Sequence, residues 1–175
     1  MIEARLRDAR IETEKSDEAI KLLSKGYGSE DQASGLIVYS YPEALYLVET
    51  GRMKIILSSG EGLDFNRLLA TLKQLDENIW RDYVVYRDLR ERNYVVKDGV
   101  NKELRFRVFE RGKYGEEPAR YLIAPLMEGK NISVEKMIEW LSAARKLRKE
   151  LVIAVVDRRN EVIYYKASIV DLRNV

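Results

Sequence analysis

The sequence predicts an α+β chain of two domains, in which short strands alternate with amphipathic helices. Three runs of residues support this prediction. Leu151 to Val156 is uninterrupted and largely β-branched, which is typical of a strand buried on both faces of a sheet. Phe65 to Ile79 repeats apolar residues at three- and four-residue spacing, as a helix with one buried face does. Leu104 to Phe109 alternates in the manner of a half-buried strand.

Composition narrows the classes of function. The 175 residues are 46% hydrophobic and 34% charged, enough for one sizeable domain or two small ones. There is no Cys and no His, so disulfides, thiolate zinc sites and His-based triads are excluded, and we expect no metal and no cofactor. Apolar runs are strand-sized and no signal peptide is recognisable, so we expect a cytoplasmic protein without a membrane segment. The high charge would suit a thermophile.

Three helices are predicted in the N-terminal part. They begin after residues whose side chains cap helices, namely Ser16, Ser40 and Asp64. Ser40 and Glu43 together form a capping box. The first two helices are expected to end at Gly26 and Gly51, and the third is expected to reach Ile79. Strands are expected at 2–11, 36–39 and 53–57. A helix is expected to join the two domains.

The C-terminal part begins with a helix that Asn93 is predicted to end, because Asn tolerates the left-handed conformation. One side of this helix carries Tyr83, Tyr86 and Leu89, and arginines occupy the remainder, namely Arg87, Arg90 and Arg92. Strands are expected at 94–97, 104–109, 121–127, 151–156 and 162–165. Ser133 is predicted to cap a second helix whose apolar residues face inward, namely Val134, Met137, Ile138, Leu141 and Ala144.

Basic residues are unevenly placed, although the net charge is only +2. Residues 81–113 hold ten Lys or Arg against six Asp or Glu. On the strand 104–109, Arg105 and Arg107 share a face with Phe109. From this spacing alone, we expect the aromatic ring of Phe109 to pack under the aliphatic stems of the arginines. A second cluster ends the helix after Ser133, namely Arg145, Lys146, Arg148 and Lys149. These cations suit the helix dipole, so helix stability and RNA binding both stay open as explanations.

Three runs in the C-terminal part carry a family resemblance. They are Tyr86-Arg87-Asp88-Leu89-Arg90, Tyr94-Val95-Val96-Lys97-Asp98-Gly99, and Phe106-Arg107-Val108-Phe109-Glu110-Arg111-Gly112. This pattern resembles the C-terminal domain of archaeal tRNA-splicing endonucleases, the tRNA-intron lyases. Ser40 to Gly51 resembles a helix of the family's N-terminal domain. The resemblance implies an N-terminal α+β domain at 1–79 and a C-terminal nuclease-like α/β domain at 80–175 with a central mixed sheet.

The family implies metal-independent cleavage of precursor tRNA at bulge-helix-bulge sites, which leaves a 2′,3′-cyclic phosphate and a 5′-hydroxyl. In the family a Tyr acts as general base, a His as general acid, and a Lys stabilises charge on the phosphate. Here Phe109 stands at the Tyr position and Pro118 at the His position. Lys149 alone is retained, and Ser142 replaces an Arg that helps to hold the bulged base.

The resemblance therefore predicts a non-catalytic structural subunit. Its expected partners are a catalytic subunit of the same family, in a heterotetramer of two heterodimers, and precursor tRNA. RNA contacts are expected at Arg105, Arg107, Arg145 and Arg148. Two alternatives stay open. One is an active endonuclease that uses Lys149 with another acid, such as Glu116 or Glu117, and the other is a basic RNA-binding module that works alone.

The family also implies two interfaces between subunits. One closes a β-sheet against the partner and is expected at Val162, Ile163, Tyr164 and Tyr165, with Ile169 and Val170 beyond them. The other inserts an acidic loop into a basic cleft and is expected at Asp157-Arg158-Arg159-Asn160-Glu161. We expect Asp157 and Glu161 to dock while Arg158 and Arg159 face solvent. Alternatively, this contact is weaker and the sheet-closing interface holds the pair.

Overall fold

Two sheets organise the chain in the computed structural model, which describes residues 1–174. The chain divides into two compact units between Arg87 and Asp88. Helix α4, Ile79–Glu91, begins in the first unit and ends in the second. The structure thus has the expected α+β composition, while the domain boundary predicted at residue 79 stays a prediction. None of the helices within residues 1–174 combines the length and apolarity needed to cross a membrane.

The N-terminal unit contains a six-stranded mixed sheet in the order β3-β4-β2-β1-β5-β6. Its strands are β1 Ile2–Arg7, β2 Arg10–Thr13, β3 Ser29–Glu30, β4 Ile37–Tyr39, β5 Met53–Leu57 and β6 Gly62–Leu63. Its helices are α1 Asp17–Ser24, α2 Tyr41–Glu49 and α3 Phe65–Leu75, followed by the first part of α4. Strand β1 pairs in parallel with β5 and antiparallel with β2.

The predicted helix starts are confirmed in this unit. The Ser16 hydroxyl accepts from the N–H of Ala19 at 3.2 Å, and the Asp64 carboxylate accepts from the N–H of Arg67 at 2.9 Å. The prediction that the third helix reaches Ile79 was wrong. Asp76 has an extended backbone and accepts from the N–H of Asn78 at 3.0 Å, so α3 ends at Leu75 and α4 starts afresh.

Glu43 is a buried carboxylate with several donors around it. It accepts from the N–H of Ser40 at 3.3 Å, as the capping box predicts, and from the N–H of Gly28 at 2.8 Å. The Tyr86 hydroxyl lies 3.5 Å away. Gly28 has a φ of +70°, and a Cβ there would lie 2.7 Å from the Ile37 side chain. One carboxylate therefore ties a loop, a helix start and α4 together.

The C-terminal unit contains a five-stranded mixed sheet in the order β11-β10-β9-β8-β7. Its strands are β7 Val95–Asp98, β8 Phe106–Phe109, β9 Tyr121–Met127, β10 Glu150–Val156 and β11 Val162–Ala167. Strands β9 and β10 pair in parallel and are joined by α5, Val134–Lys146, while the other neighbours are antiparallel. A short 3₁₀ turn at Leu172–Asn174 follows.

Helix α5 packs on one face of this sheet. Trp140 and Ala144 are buried against a cluster of four apolar residues. Leu122 and Ala124 come from β9, Leu151 from β10, and Leu104 from the loop between β7 and β8. The expectation that Val134 and Ile138 face inward was wrong, since they are 72% and 54% exposed. The helix is rotated so that Trp140 takes the core position, and its indole N–H donates to Glu103 at 3.3 Å.

The C-terminal part of helix α4 is bonded to the face of this sheet opposite α5. The Tyr164 hydroxyl donates to Asp88 at 2.7 Å, and Arg92 donates to the same carboxylate at 2.8 Å. Asn93 adopts the predicted left-handed conformation, with a φ of 66°. Arg90, expected on the charged remainder of the helix, is instead buried and donates to the Tyr94 carbonyl at 3.3 Å.

Candidate functional site

The sheet face that carries α5 is left uncovered on both sides of the helix. Cross-strand partners share a face, and the register pairs Lys97 with Arg107, Arg107 with Leu122, and Leu122 with Leu151. By the two-residue period, Phe109 lies on this face as well. We call Lys97, Arg107 and Phe109, together with the nearby Tyr114, the cationic flank. On the opposite side, the β11 residues paired with Val155 and Ile153, namely Ile163 and Tyr165, form the apolar flank.

The three positions that the resemblance singled out come together at one end of this sheet. Phe109 ends β8, and the N–H of Arg120 donates to the Val108 carbonyl at 3.0 Å, which brings the Pro118 loop beside that strand end. Lys149 precedes β10, and its Nζ donates to the carbonyl of Ala119, the residue after Pro118, at 2.6 Å. The structure thus brings together the three positions that the resemblance assigns to catalysis, and they carry no hydroxyl at residue 109 and no imidazole at residue 118.

Lys149 and Arg107 form a pair of cations without a counterion. Within residues 1–174, neither side chain forms an ion pair, and each donates to a backbone carbonyl, Lys149 to Ala119 and Arg107 to Asp98 at 2.8 Å. Desolvation lowers the pKa of Lys149, and the charge of Arg107 lowers it further. Two neighbouring cations without a carboxylate partner favour the binding of an anion near them.

Tyr114 is a site residue that sequence reasoning missed. It lies in the loop between β8 and β9, and its ring meets that of Phe109 edge to face, with centroids 5.0 Å apart and an interplanar angle of 90°. The Lys97 ammonium lies 5.9 Å from the centroid of the Tyr114 ring. The only sequence signal was an aromatic residue in a charged loop, between Gly112 and Gly115.

A groove of about 740 Å³ lies beside the end of α5. Its lining includes four cations from the α5 end and from β11, namely Arg145, Arg148, Lys149 and Lys166. Arg145 and Arg148, two of the predicted RNA contacts, are exposed and have no side-chain partner within residues 1–174. Cations at a helix C-terminus also favour the dipole, so their position fits both explanations that the sequence left open.

The other predicted arginine, Arg105, differs from Arg107. It is half-buried, its guanidinium pairs with Asp98 at 2.6 Å, and it lies 5.1 Å from the Phe106 ring centroid. Its charge is therefore compensated within the chain. Arg107 is exposed and presents a charge that no carboxylate in the described part of the chain neutralises.

Carboxylates at this end of the sheet are paired. Arg120 bonds to Glu110 and, at 3.0 Å, to Glu150, which also pairs with Lys166 at 2.6 Å. These bonds hold the pKa of the Glu150 carboxyl below its usual value, with the Lys166 bond as the largest cause. No group of three or more Asp or Glu side chains in residues 1–174 is placed to hold a metal ion.

The alternative acids are not directed at Lys149. Glu117 pairs with Lys113 at 2.9 Å within the loop, and Glu116 is exposed. Neither carboxylate forms a hydrogen bond or ion pair with Lys149 in the part of the chain that the structure describes. The geometry therefore offers no acid for the alternative in which Lys149 acts with one of them.

The hairpin loop between β10 and β11 uses its first carboxylate internally. Asp157 accepts from the N–H groups of Arg159 and Glu161 at 2.8 and 2.9 Å, and these bonds, with Glu161 the larger cause, lower the pKa of Asp157. Arg159 lies 3.4 Å from the Glu161 carboxylate and 3.7 Å from Asp157, whereas Arg158 is 96% exposed. Asp157 thus shapes the turn, and Glu161, 65% exposed, is the carboxylate presented outward.

Comparison with known proteins places both parts of the chain. Residues 2–69 match the family described as "tRNA intron endonuclease, N-terminal domain". Residues 79–164 match "tRNA intron endonuclease, catalytic C-terminal domain". The second match includes Phe109, Pro118 and Lys149, the positions that the fold brings together.

Proteins that are similar along most of this chain carry the name tRNA-splicing endonuclease. One from Thermococcus onnurineus is 34% identical over 165 residues, which is 94% of each chain. One from Methanococcus vannielii is 33% identical over 171 residues, which is 98% of this chain and 96% of the relative. One from Sulfurisphaera tokodaii is 36% identical over 143 residues, which is 82% of this chain and 78% of the relative.

Proposed function

The chain belongs to the tRNA intron endonuclease family, which acts in the cleavage of tRNA introns, and on this premise we propose that it is a non-catalytic subunit of the splicing enzyme. In this proposal it forms a heterodimer with a catalytic relative, and two heterodimers form the tetramer that binds precursor tRNA. The chain supplies surfaces for assembly and for RNA, and the relative supplies the catalytic groups.

The observation that carries the proposal is the content of the assembled site. Phe109 has no hydroxyl to accept a proton, and the ring nitrogen of Pro118 has none to give. Lys149 is retained but bonds to the Ala119 carbonyl, which gives it a role in holding the Pro118 loop. General base and general acid steps contribute ~100- to 10,000-fold each, so a site without both has lost most of its catalysis.

Assembly is proposed through the apolar flank. Strand β11 is at the edge of the sheet, so its outer backbone groups are open to another strand. Ile163 and Tyr165 are 50% and 54% exposed, and Ile169 and Val170, which follow β11 in the chain, are 61% and 66% exposed. A partner strand beside β11 would satisfy the edge and cover these side chains.

The loop after β10 is proposed as a second, smaller contact through Glu161. Asp157 is already bonded within the turn, so its replacement would disturb the hairpin as well as any contact. Glu161→Lys is therefore the sharper test, with Glu161→Gln as the matched control. We expect Glu161→Lys to reduce the tetramer to heterodimers in light scattering. An unchanged tetramer would mean that the loop does not dock.

The cationic flank and the groove beside α5 are proposed to contact precursor tRNA. Arg107 and Lys149 have no counterion, and Arg145 and Arg148 have no side-chain partner within residues 1–174. Phosphates would neutralise these charges, and the resulting affinity would fall steeply with salt. Arg105, already paired with Asp98, is expected to contribute less.

A cleavage assay tests the proposal directly. The purified chain, a catalytic relative and their mixture are each incubated with a precursor tRNA that carries a bulge-helix-bulge, in the presence of a chelator. We expect no cleavage by the chain alone and a stable complex of the two proteins. Cleavage by the chain alone to a 2′,3′-cyclic phosphate, at a rate close to that of the relative, would overturn the proposal.

A further inference from the structure

We propose that Tyr114 is a stacking surface for an unpaired RNA base, beside the cations Lys97 and Arg107. This inference rests on the proposed function for its ligand, RNA, and extends it by naming the residue that distinguishes unpaired from paired RNA. Sequence reasoning gave Tyr114 no role, and none of the family positions discussed above includes it.

The loop that carries Tyr114 is held in shape by its own bonds. The N–H of Lys113 donates to the Glu110 carbonyl at 3.0 Å, and the N–H groups of Glu116 and Glu117 donate to the Lys113 carbonyl at 3.0 and 2.9 Å. The Lys113 and Glu117 side chains pair at 2.9 Å. Such a loop presents its aromatic ring in one place, which lowers the entropy lost when a ligand binds.

Glycines set the position of the ring. Gly112 and Gly115 both have left-handed backbone, with φ of 73° and 87°, and bracket Lys113 and Tyr114. A Cβ at either glycine would meet no atom within 4 Å, so the reason for glycine is the backbone conformation and not a lack of space. The two bends bring Tyr114 back over the sheet to the ring of Phe109.

Phe109 supplies the support that a stacking residue needs. Its ring ends β8 on the face that α5 leaves uncovered, and it meets Tyr114 edge to face at 5.0 Å. Aromatic pairs in this arrangement are stabilised beyond their apolar contact. A Tyr at position 109 is the general base of the family, whereas here the Phe109 ring packs against Tyr114.

The charges around Tyr114 favour a nucleic acid as the ligand. Lys97 lies 5.9 Å from the ring centroid and is paired across the strands with Arg107. Arg107 in turn lowers the pKa of Lys149 through its charge. A partly exposed aromatic ring next to a row of cations matches the design of single-strand binding sites, where bases stack and phosphates are neutralised.

Two labelled RNA hairpins test the inference with the purified full chain. One carries a three-nucleotide bulge and the other is fully paired, and binding is measured by fluorescence anisotropy. We expect Tyr114→Leu to weaken binding of the bulged hairpin about tenfold and that of the paired hairpin less than about twofold, because only unpaired bases can stack. Tyr114→Phe should bind both hairpins as the wild type does.

A matched control separates stacking from charge. Arg145→Ala removes a cation from the groove beside α5 and should weaken both hairpins by the same factor, since phosphates occur in both. If Tyr114→Leu also weakens both equally, or changes neither, the stacking role is wrong. Binding of neither hairpin by the wild-type chain would overturn the inference, while complex formation with the catalytic relative would still support the proposed subunit role.

A second measurement does not depend on a variant. A 5-iodouridine in the bulge crosslinks to an aromatic ring that stacks on it, and the wild-type chain can be digested after irradiation. We expect the crosslinked peptide to contain Tyr114. A crosslink confined to another aromatic residue would place the base elsewhere and overturn the inference.

Discussion

The two flanks of α5 lie on one sheet face and differ in almost every property. The cationic flank is formed by the β7–β8 pair, and its Arg107 and Lys97 lie beside the rings of Phe109 and Tyr114. The apolar flank belongs to β11, where Ile163 and Tyr165 are at least half exposed. The cationic flank continues into a loop held by its own hydrogen bonds, and the apolar flank lies on the strand at the opposite edge of the sheet.

Under the proposed function, this difference allows the fold of a catalytic domain to be kept in a chain that does not itself cleave RNA. Helix α5 packs on the middle of the sheet, so the buried core does not include the side chains of the two flanks. In that proposal, the two residues that depart from the family pattern, Phe109 and Pro118, lie at the end of β8, beside the cationic flank. The proposed surfaces for RNA and for a partner depend on side chains outside the core.

The largest effect is expected when the Tyr and His of the family pattern are introduced at positions 109 and 118. Phe109→Tyr with Pro118→His returns a general base and a general acid beside Lys149. We expect cleavage of a bulge-helix-bulge precursor by the purified double variant to rise at least about 1,000-fold above the wild-type chain. The same double variant with Lys149→Ala is the control. A folded double variant with no gain in cleavage would show that the absence of the Tyr hydroxyl and the His imidazole is not the reason for inactivity.

The apolar flank gives the next largest effect. Ile163→Lys with Tyr165→Lys places two charges where a partner strand is expected to cover them. We expect the heterodimer to weaken at least about 100-fold by sedimentation, because each buried, unpaired charge costs well over ~1.4 kcal/mol. Val134→Lys with Ile138→Lys, on exposed α5 positions, is the matched control and should assemble normally. An equal loss of heterodimer affinity in the β11 and α5 double variants would contradict the assignment of the interface to β11.

A smaller effect is expected from the bond that anchors β11 on the other face. Tyr164→Phe removes the hydroxyl that donates to Asp88 and should lower the free energy of unfolding by about 1–2 kcal/mol at pH 8. Burial, then the Asp88 bond, raises the Tyr164 pKa above 10, so folding favours the protonated phenol. Its contribution is present below pH 10 and is lost as the pH rises. In urea titrations, the gap between wild type and variant should therefore shrink at pH 11.

The smallest effect is expected from the bond between Lys149 and the Pro118 loop, beside the cationic flank. Lys149→Ala removes the donor to the Ala119 carbonyl. We expect turnover of the assembled enzyme to stay within a few-fold of wild type, since Phe109 and Pro118 can supply neither a general base nor a general acid to act with Lys149. Lys149→Met, which keeps the apolar stem, is the control. A loss of ~1,000-fold, comparable to losing a preorganised oxyanion contact, would assign Lys149 to the chemistry.

Sequence patterns predicted those parts of the fold that depend on neighbours along the chain. Ser133 caps α5, and Asn93 ends α4 in the left-handed conformation, because both effects act within a few residues. The inward face of α5 could not be predicted in the same way. Val134 and Ile138 are as apolar as the residues of α5 that are buried. Only the packing of the helix on the sheet determines that Trp140 is buried and that these two residues are exposed. The two-residue strands β3 and β6 are too short to show a period.

Sequence reasoning named candidate site residues where the family resemblance marks a position. Pro118 lies nine residues after Phe109, and Lys149 lies 31 residues after Pro118. The resemblance alone grouped these three residues before the fold was known. Tyr114 was missed because a loop residue has no periodicity and its contact with Phe109 depends on two glycine bends. Asp157 was predicted as a docking group, and the sequence pattern did not indicate that its carboxylate also accepts from two N–H groups of its own turn. The proposed roles of these residues stay predictions.

The parallel pairing of β1 with β5 sets an order for folding during synthesis. Ile2 pairs with Met53, and the register continues to Leu6 and Leu57. The β1–β2 hairpin can form as soon as both strands leave the ribosome, since Arg7 pairs with Arg10. The opposite edge of β1 has to wait for β5, because a parallel partner is available only after a long crossover. We expect the nascent chain to hold an open strand edge until about residue 57, and to be most prone to mispairing during that interval.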